Sequence, residues 1–251
     1  MLIALPNLDG SFTCTLFLAS DESLGGENSF EKLVSKEQVT NLFEKNFPDV
    51  VPLMPALTET FFENPTGILM TVKCYPWSIE GKAALLGDSA HAIVPFFGQG
   101  MNAAFEDCTY LNEIIERPPL SPVLKGGESA IDWHKIFSEY QELRKPDADA
   151  IADLAQENFI EMRDLVSQPM YQLKKKIESE LAKRFPEKFM GKYSMVTFHR
   201  LPYSMALNRG KIQENILNKL SQNKKDINEI DWVMAESLVN EMLTDLDLKG
   251  P

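Results

Sequence analysis

Residues that bind metals or form disulfides are scarce in this sequence. Its 251 residues include three cysteines and three histidines. The cysteines, Cys14, Cys74 and Cys108, are widely separated and odd in number. Such a pattern matches neither a metal-ligand spacing nor an even set of disulfides. We therefore expect a protein without a metal centre, from a reducing compartment.

Long apolar runs and an excess of positive charge are also lacking. No apolar run is long enough to span a bilayer, and no stretch has the pattern of a signal peptide. Acidic residues outnumber basic ones by 37 to 25, which gives a formal net charge of −12. This charge disfavours nucleic acids and anionic membranes as partners. The 44% of hydrophobic residues is typical of a globular protein with one large domain or two small ones.

The most informative stretch runs from Ala83 to Cys108. A short apolar run, Ala83–Leu86, ends at Gly87-Asp88. This pattern predicts a buried parallel strand that stops at the carboxyl edge of a sheet. Open α/β sheets bind ligands at that edge, and Asp88 is the first polar side chain to reach it. Its carboxylate is a hydrogen-bond acceptor suited to the hydroxyls of a sugar or polyol.

A glycine-rich loop and a helix follow this predicted strand. Pro95-Phe96-Phe97 is stiff and bulky, whereas Gly98-Gln99-Gly100 allows a ligand to approach the backbone closely. From Met101 the apolar residues recur at helical spacing. The residues predicted to share one face are Ala104, Cys108, Leu111 and Ile115. The free N–H groups at the start of such a helix favour anionic or electron-rich ligand atoms.

Two other motifs fit parts of this stretch less well. Gly98-x-Gly100-x-x-Ala103 has the spacing of the dinucleotide-binding fingerprint, but that motif should directly follow its strand in a βαβ unit. Gly87-x-Ser89-x-His91 lacks the closing glycine of a nucleophile elbow. His91 itself is interpreted as a histidine bonded to a nearby carbonyl rather than as an acid–base residue.

The whole pattern resembles the second flavin-binding motif of the group A aromatic hydroxylases, which are FAD- and NAD(P)H-dependent monooxygenases. Gly87-Asp88 matches their "GD" signature, and Pro95–Asn102 matches their P-x-x-G-x-G-x-N loop. The string His91–Asn102, with its two phenylalanines, is most similar to the branch that hydroxylates kynurenine. The resemblance implies FAD as cofactor, NADPH as co-substrate, and L-kynurenine and O2 as substrates. The residues that it assigns to FAD binding are Asp88, Pro95, Gly98, Gly100, Met101 and Asn102.

A second informative segment is the predicted helix Asp147–Gln168. Asn158 falls within its apolar face, where Ile151 and Leu154 also lie, and Glu161 falls at the edge of that face. The residues alone slightly favour a hydrogen bond from Asn158 to a neighbouring backbone group. The resemblance instead implies that substrate contacts come from Phe96, Phe97, Asn158, Glu161 and Tyr193. It requires no catalytic side chain, because the flavin supplies the chemistry.

The other elements are predicted from turn residues, capping patterns and periodicity. They are a hairpin of Met1–Leu5 and Ser11–Leu18, a helix or helix pair within Asn28–Phe47 with a Ser35/Gln38 capping box, a strand near Ile68–Tyr75, a helix over Ser129–Arg144 stopped by Pro146, a helix from Pro169 closed by Pro186, an extended piece over Tyr193–Phe198 and an acidic helix over Ile230–Leu248.

These elements predict a mixed α/β (α+β) fold with four regions. In the terms of the resemblance, residues 1–77 are part of a substrate-binding sheet domain. Residues 78–117 are the C-terminal part of a Rossmann-like FAD-binding domain. Residues 118–203 are a helical region that closes the substrate pocket, and residues 204–251 are an acidic helical tail.

The first FAD motif of the resembled family, G-x-G-x-x-G at the start of a βαβ unit, is not found in this sequence. We therefore expect the chain to be a C-terminal portion that is inactive alone, with the N-terminal portion of the enzyme as its partner. The resemblance implies the cytosolic side of the mitochondrial outer membrane, whereas the lack of an apolar span favours the cytoplasm. Two alternative functions stay open: another group A hydroxylase, or an inactive remnant that serves as a binding module.

Overall fold

A computed structural model describes residues 1–117 and 131–247, and the chain divides into two units, Met1–Leu69 and Met70–Pro251. Short antiparallel strands and longer helices confirm the predicted mixed α/β class, with helices forming the C-terminal part. Within the described residues, no helix combines the length and the apolar character that crossing a membrane requires.

The first unit starts with the predicted hairpin. Strand β1 (Leu2–Pro6) pairs antiparallel with β2 (Phe12–Leu16), and Leu2 faces Leu16 across the pair. Gly10 closes the turn with a φ of 86°, a value that favours glycine. The predicted hairpin is therefore confirmed, including its turn.

Three helices complete the first unit. They are α1 (Glu22–Gly25), α2 (Lys36–Asn46) and α3 (Leu57–Glu63). Ser35 caps α2 by accepting the Gln38 N–H, and the Gln38 side chain accepts the Ser35 N–H in return. This reciprocal pair satisfies two N–H groups that a helix start leaves without partners, and it confirms the predicted capping box. Helix α2 buries Val39, Leu42 and Phe43 in the core of the unit.

The first strands of the second unit form a short hairpin with two residues in each strand. Strand β3 (Ser78–Ile79) pairs antiparallel with β4 (Ala83–Ala84). The prediction of a buried parallel strand at Ala83–Leu86 is therefore wrong. Both turn residues, Glu80 and Gly81, have positive φ, a backbone that is typical of tight hairpins. A short apolar run predicts a strand, but it does not show whether that strand pairs parallel with a distant strand or antiparallel with the preceding segment. The predicted strand near Ile68–Tyr75 is also wrong, because these residues form no ladder.

The second unit continues with a series of α-helices. They are α4 (Asp88–His91), α5 (Gly100–Glu116), α6 (Trp133–Ile160), α7 (Pro169–Arg184), α8 (Lys192–Phe198), α9 (Tyr203–Ser221) and α10 (Trp232–Met242). Helices α7, α9 and α10 share one apolar core, in which Ile177, Leu181, Ile216 and Val239 are fully buried. A second core joins α5, α6, α8 and α9.

Helix α6 continues through Pro146, so the predicted stop at this residue is wrong. A proline inside a helix removes one N–H donor, and here the affected carbonyl belongs to Glu142. Glu142 and Pro146 are both exposed, so water can satisfy that carbonyl. Buried residues on the opposite side, among them Arg144 and Ile151, hold the helix in place. Ser129, the predicted first residue of this helix, lies outside the described residues.

The predicted helix Asp147–Gln168 is therefore the second half of α6, and it ends earlier than expected. After Ile160 the chain makes a π-helical turn over Glu161–Leu165. Ile151, Leu154 and Ala155 are buried as predicted, whereas Met162 and Val166 are exposed. A π turn has more residues per turn than an α-helix, so it rotates the apolar face away from the core.

Two further predictions change in the C-terminal half. The Tyr193–Phe198 segment is helix α8 rather than an extended piece, and it buries Met195 and Val196. Packing of these two side chains outweighs the strand preference of its aromatic and β-branched residues. The helix from Pro169 is confirmed as α7. Helix α10 is shorter than the predicted Ile230–Leu248, and Leu248 lies outside the described residues.

Candidate functional site

The turn at Gly87-Asp88 is tightly packed against α5. Gly87 has φ 57° and ψ −140°, a conformation open almost only to glycine. A Cβ at this position would lie 3.0 Å from the Cβ of Ala104 on α5. Asp88 then begins α4 with an exposed carboxylate, which makes no hydrogen bond to another residue of the described chain. The turn thus presents a free carboxylate from a rigid backbone.

A buried carboxylate, Asp107, lies directly beneath this turn. Its Oδ2 accepts the Gly87 N–H at 2.9 Å and lies 2.6 Å from His91 Nε2, and its Oδ1 accepts Arg144 Nε at 2.9 Å. A carboxylate can only accept, so His91 carries its proton on Nε2. The interpretation of His91 as bonded to a carbonyl is therefore wrong, because its partner is a side chain.

Arg144 is fully buried and joins several acidic side chains. Its Nη1 lies 3.0 Å from Glu106 Oε2 and 3.7 Å from Asp147 Oδ2, and its guanidinium stacks 4.9 Å from the ring centre of Tyr110. Burial alone would lower the pKa of Arg144, but the surrounding carboxylates raise it above its ordinary value. Burial likewise opposes ionisation of Asp107, yet hydrogen bonds from His91 and Arg144 hold its pKa below the ordinary range.

Asp107 was missed from the sequence because the wrong face of α5 was assigned to the core, and its partner Arg144, on α6, was missed with it. The buried residues of α5 are Ala103, Asp107 and Ile114, not the stripe through Ala104, Cys108, Leu111 and Ile115. The predicted stripe and the buried stripe are offset by one residue. Because the buried stripe contains Asp107, it has the appearance of a polar face in the sequence. A carboxylate at helical spacing from Ala103 and Ile114 was the available signal.

The glycine-rich loop leads into α5 as predicted. Pro95–Phe97 forms one 3-10 turn, and Gly98 follows in the left-handed region with φ 66°. Gln99 precedes α5, and its Oε1 accepts hydrogen bonds from Asn102 Nδ2 at 3.0 Å and from the Tyr203 hydroxyl at 3.1 Å. These bonds order the loop, while Gly98, Met101 and Asn102 remain exposed. The N–H groups of the first turn have no partners within the helix.

An open cleft of about 410 Å³ lies beside the first three turns of α5. The connection from α8 to α9 forms its other wall. Residues that line it include Gln99, Asn102, Thr109, Val196, Arg200 and Tyr203. Burial raises the pKa of Tyr203 to about 12. Its hydroxyl therefore stays protonated at neutral pH and donates to Gln99.

The structure brings the five predicted substrate residues together from three segments. Asn158 Nδ2, on α6, donates to the Phe96 carbonyl at 2.7 Å. The ring of Phe97 stacks on Tyr193 of α8 with 5.8 Å between centroids. Phe96 stacks in turn on Phe159, at 4.5 Å. The backbone partner that the residues alone favoured for Asn158 is therefore present, and it ties α6 to the loop.

Glu161 is held by a lysine that sequence reasoning did not single out. Its Oε1 lies 2.8 Å from Lys192 Nζ, and its Oε2 accepts the Tyr171 hydroxyl at 3.2 Å. Lys192 also pairs with Glu157 at 3.2 Å. Burial would raise the pKa of Glu161, but Lys192 holds it below the ordinary value. The available signal for Lys192 was its position in the sequence, directly before the predicted substrate residue Tyr193.

Comparison with known proteins gives a consistent set of relatives. No family model matches the chain. A kynurenine 3-monooxygenase of Flavobacterium johnsoniae is 52% identical over 220 residues, which cover 88% of this chain and 46% of the relative. The enzyme of the same name from Dictyostelium discoideum is 45% identical over 246 residues, or 97% of this chain and 53% of the relative. That of Myxococcus xanthus is 43% identical over 244 residues, or 97% and 49%. The chain thus spans about half the length of the curated relatives that it matches.

Proposed function

The chain belongs by sequence to the kynurenine 3-monooxygenase family, and on this premise we propose that it supplies part of an FAD-dependent enzyme. The proposed reaction converts L-kynurenine to 3-hydroxykynurenine with NADPH and O2. The observation that carries this proposal is a set of contacts among the five residues: Asn158 bonds the Phe96 carbonyl, Phe97 stacks on Tyr193, and Glu161 pairs with Lys192, the residue directly before Tyr193. The substrate residues implied by the resemblance are thus neighbours in space.

The residues assigned to FAD fit a flavin in their chemistry. Asp88 offers an exposed and unpaired acceptor for ribityl or ribose hydroxyls. Gly98 and Gly100 leave the backbone bare, and a Cβ at Gly98 would meet no atom within 4 Å. A flat ligand can therefore approach the loop closely. When bound, FAD supplies the redox and oxygen-transfer chemistry.

The start of α5 would stabilise negative charge on the flavin. The first-turn N–H groups at Gly100, Met101 and Asn102 have no partners within the helix, and the positive end of the helix dipole lies there. Donors that are ordered in advance lower the energy of a developing charge without reorganising. Hydrogen bonds to Gln99 from Asn102 and Tyr203 provide that order.

On the substrate side, we propose that Phe96 and Phe97 form the walls for the aromatic ring. Asn158 and Glu161 would contact the polar groups of kynurenine, and the Tyr193 hydroxyl would donate to its amino-acid carboxylate. Tyr193 is 53% exposed, so its hydroxyl is available for this contact. Lys192 neutralises part of the negative charge of Glu161 and Glu157, which would prevent these residues from repelling the substrate carboxylate.

A chimera provides the direct test. The matched region of the Dictyostelium relative is replaced by this chain, and FAD content, NADPH oxidation and product formation are then measured. We expect bound FAD and conversion of kynurenine to 3-hydroxykynurenine. A preference for phenols over kynurenine would favour another aromatic hydroxylase. A folded chimera without FAD would favour the inactive binding module.

Asp88→Ala should weaken FAD binding to the chimera by about 10- to 150-fold, because the loss of hydrogen bonds to a charged acceptor costs about 1.5–3 kcal/mol. Fluorescence titration with FAD measures the effect, and the melting temperature of the apoprotein should not change. Glu80→Ala removes another exposed carboxylate of the same unit and serves as the control. Equal FAD affinity in both variants would remove Asp88 from the site.

Asn158→Leu should raise the KM for kynurenine by about 5- to 150-fold, since an unpaired polar group of the substrate costs about 1–3 kcal/mol. FAD content should be unchanged. Stability should fall slightly, because the hydrogen bond from Asn158 to the Phe96 carbonyl is lost. Gln156→Leu, an exposed position of the same helix, is the matched control. A lower melting temperature with an unchanged KM would limit Asn158 to holding the loop.

A further inference from the structure

We propose that Asp107 is a positioning residue for the cofactor: it fixes the direction in which Asp88 leaves the Gly87 turn. The inference rests on the proposed function, in which Asp88 binds FAD hydroxyls. Asp107 is fully buried beneath the turn and does not face solvent. It therefore acts through the backbone of Gly87, the residue directly before Asp88.

The carboxylate of Asp107 faces three N–H donors. The Gly87 N–H and His91 Nε2 approach Oδ2 at 2.9 and 2.6 Å, and Arg144 Nε approaches Oδ1 at 2.9 Å. An ionised carboxylate accepts on both oxygens and donates from neither. Asparagine has nearly the same shape, but either orientation of its amide would point an NH2 group at one of these donors. The three donors therefore require a carboxylate at this position, rather than an amide of the same size.

Arg144 keeps this carboxylate in place. Besides bonding Asp107, it lies 3.0 Å from Glu106 Oε2 and donates from Nη2 to the Ala103 carbonyl at 3.4 Å. Asp147, 3.7 Å from Nη1, accepts the backbone N–H of Ser204 at the start of α9. Asp107 is thus connected through Arg144 to α6, and through Asp147 to α9. These contacts restrict the movement of its carboxylate relative to the Gly87 turn.

Helix α5 holds the turn at two points. Asp107 binds the Gly87 N–H, and Ala104, one helical turn earlier, leaves room for no Cβ at Gly87. The hydrogen bond sets the orientation of the Gly87 peptide, and the close packing sets its distance from the helix. The bonded N–H belongs to the Leu86–Gly87 peptide, and Asp88 is joined to that peptide through Gly87, whose conformation is restricted by the packing against Ala104. The position of the Asp88 carboxylate therefore depends on both contacts.

FAD affinity of the chimera tests the inference by a double-mutant cycle. Asp107→Asn, Asp88→Ala and the double variant are titrated with FAD, together with Glu106→Gln as the matched control. Glu106 pairs with the same arginine but does not contact Gly87. We expect Asp107→Asn to weaken binding at least tenfold and Glu106→Gln less than twofold. If Asp107 acts through Asp88, the double variant binds FAD as Asp88→Ala does, within twofold, because the energies of coupled residues are not additive.

Two results would overturn the inference. Unchanged FAD affinity in Asp107→Asn excludes positioning, and losses that multiply in the double variant show that Asp107 acts independently of Asp88. An Asp88→Ala variant with full affinity is a different result, because it contradicts the proposed function itself.

Variants at His91 keep the test decisive if Asp107→Asn does not fold. Glutamine can present a donor near the position of Nε2, whereas leucine cannot. His91→Leu should weaken FAD binding at least threefold, and His91→Gln should retain most of the affinity. Equal affinity in these two variants would contradict a role for the Asp107 hydrogen bonds.

Discussion

Replacing Arg144 by leucine should lower the free energy of unfolding of this chain by about 3–5 kcal/mol, the range for removing one partner of a buried ion pair. Arg144 is fully buried, and Asp107, which it contacts, is fully buried as well. Without the guanidinium, the Asp107 carboxylate loses its buried cationic partner, although the Gly87 and His91 donors remain. Glu106 and Asp147 would then repel it, and the nearest remaining cation, Arg200, lies 3.9 Å from Glu106 on a half-exposed side chain.

Chemical denaturation of the 251-residue chain, followed by circular dichroism, measures this loss. Arg117→Leu is the matched control, because Arg117 pairs with Glu139 near the surface, where their side chains are 52% and 30% exposed. Exposed pairs contribute about 1 kcal/mol or less. Equal losses in the two variants would show that the buried network adds no more stability than a surface pair does.

Replacing Gly87 by alanine should lower the free energy of unfolding by about 2–6 kcal/mol, from two separate sources. A non-glycine residue at φ 57° and ψ −140° costs about 1–3 kcal/mol. The added Cβ also lies 3.0 Å from Ala104, and overpacking of this kind costs about 1–3 kcal/mol. Ala104 is part of the helix itself, so it cannot move aside without shifting α5.

Gly98→Ala separates the two sources in the same denaturation experiment. Gly98 also has positive φ, at 66°, but a Cβ there would meet no atom within 4 Å. Its ψ of 23° places it in the left-handed region, where alanine costs about 1–2 kcal/mol. Gly98→Ala should therefore destabilise the chain less than Gly87→Ala does. The reverse order would contradict the close packing of the turn against α5.

Local features were predictable from the sequence where a few adjacent residues determine the structure. The Ser35/Gln38 capping box and the turn at Gly10 depend on contacts within three or four residues. The start of α5 at Gly100 followed from a loop that ends in glycine and a helical pattern after it. That Phe97 and Tyr193 lie in one site was predicted only through the resemblance to a family, because no local pattern relates residues so far apart in the sequence.

The missed features depend on tertiary contacts. The burial of Asp107 and Arg144 requires each to have the other as a partner, and periodicity treats both as surface residues. Pro146 was read as a helix stop from its own chemistry, but packing on the buried side of α6 keeps the helix continuous. Lys192 looked like an ordinary surface lysine until the fold placed Glu161 and Glu157 beside it.

The continuity of α6 has a consequence for how this chain can change in length. The helix carries Arg144, which supports the turn, and Asn158, which holds the loop, with 14 residues from one to the other. At 1.5 Å per residue they lie about 21 Å apart along one rod. Inserting or deleting one residue between them would rotate one against the other by about 100°. Asn158 would then point away from the Phe96 carbonyl while Arg144 stayed on Asp107. Substitutions at exposed positions of this interval, such as Gln156, leave this spacing unchanged, whereas insertions and deletions would separate the two halves of the site.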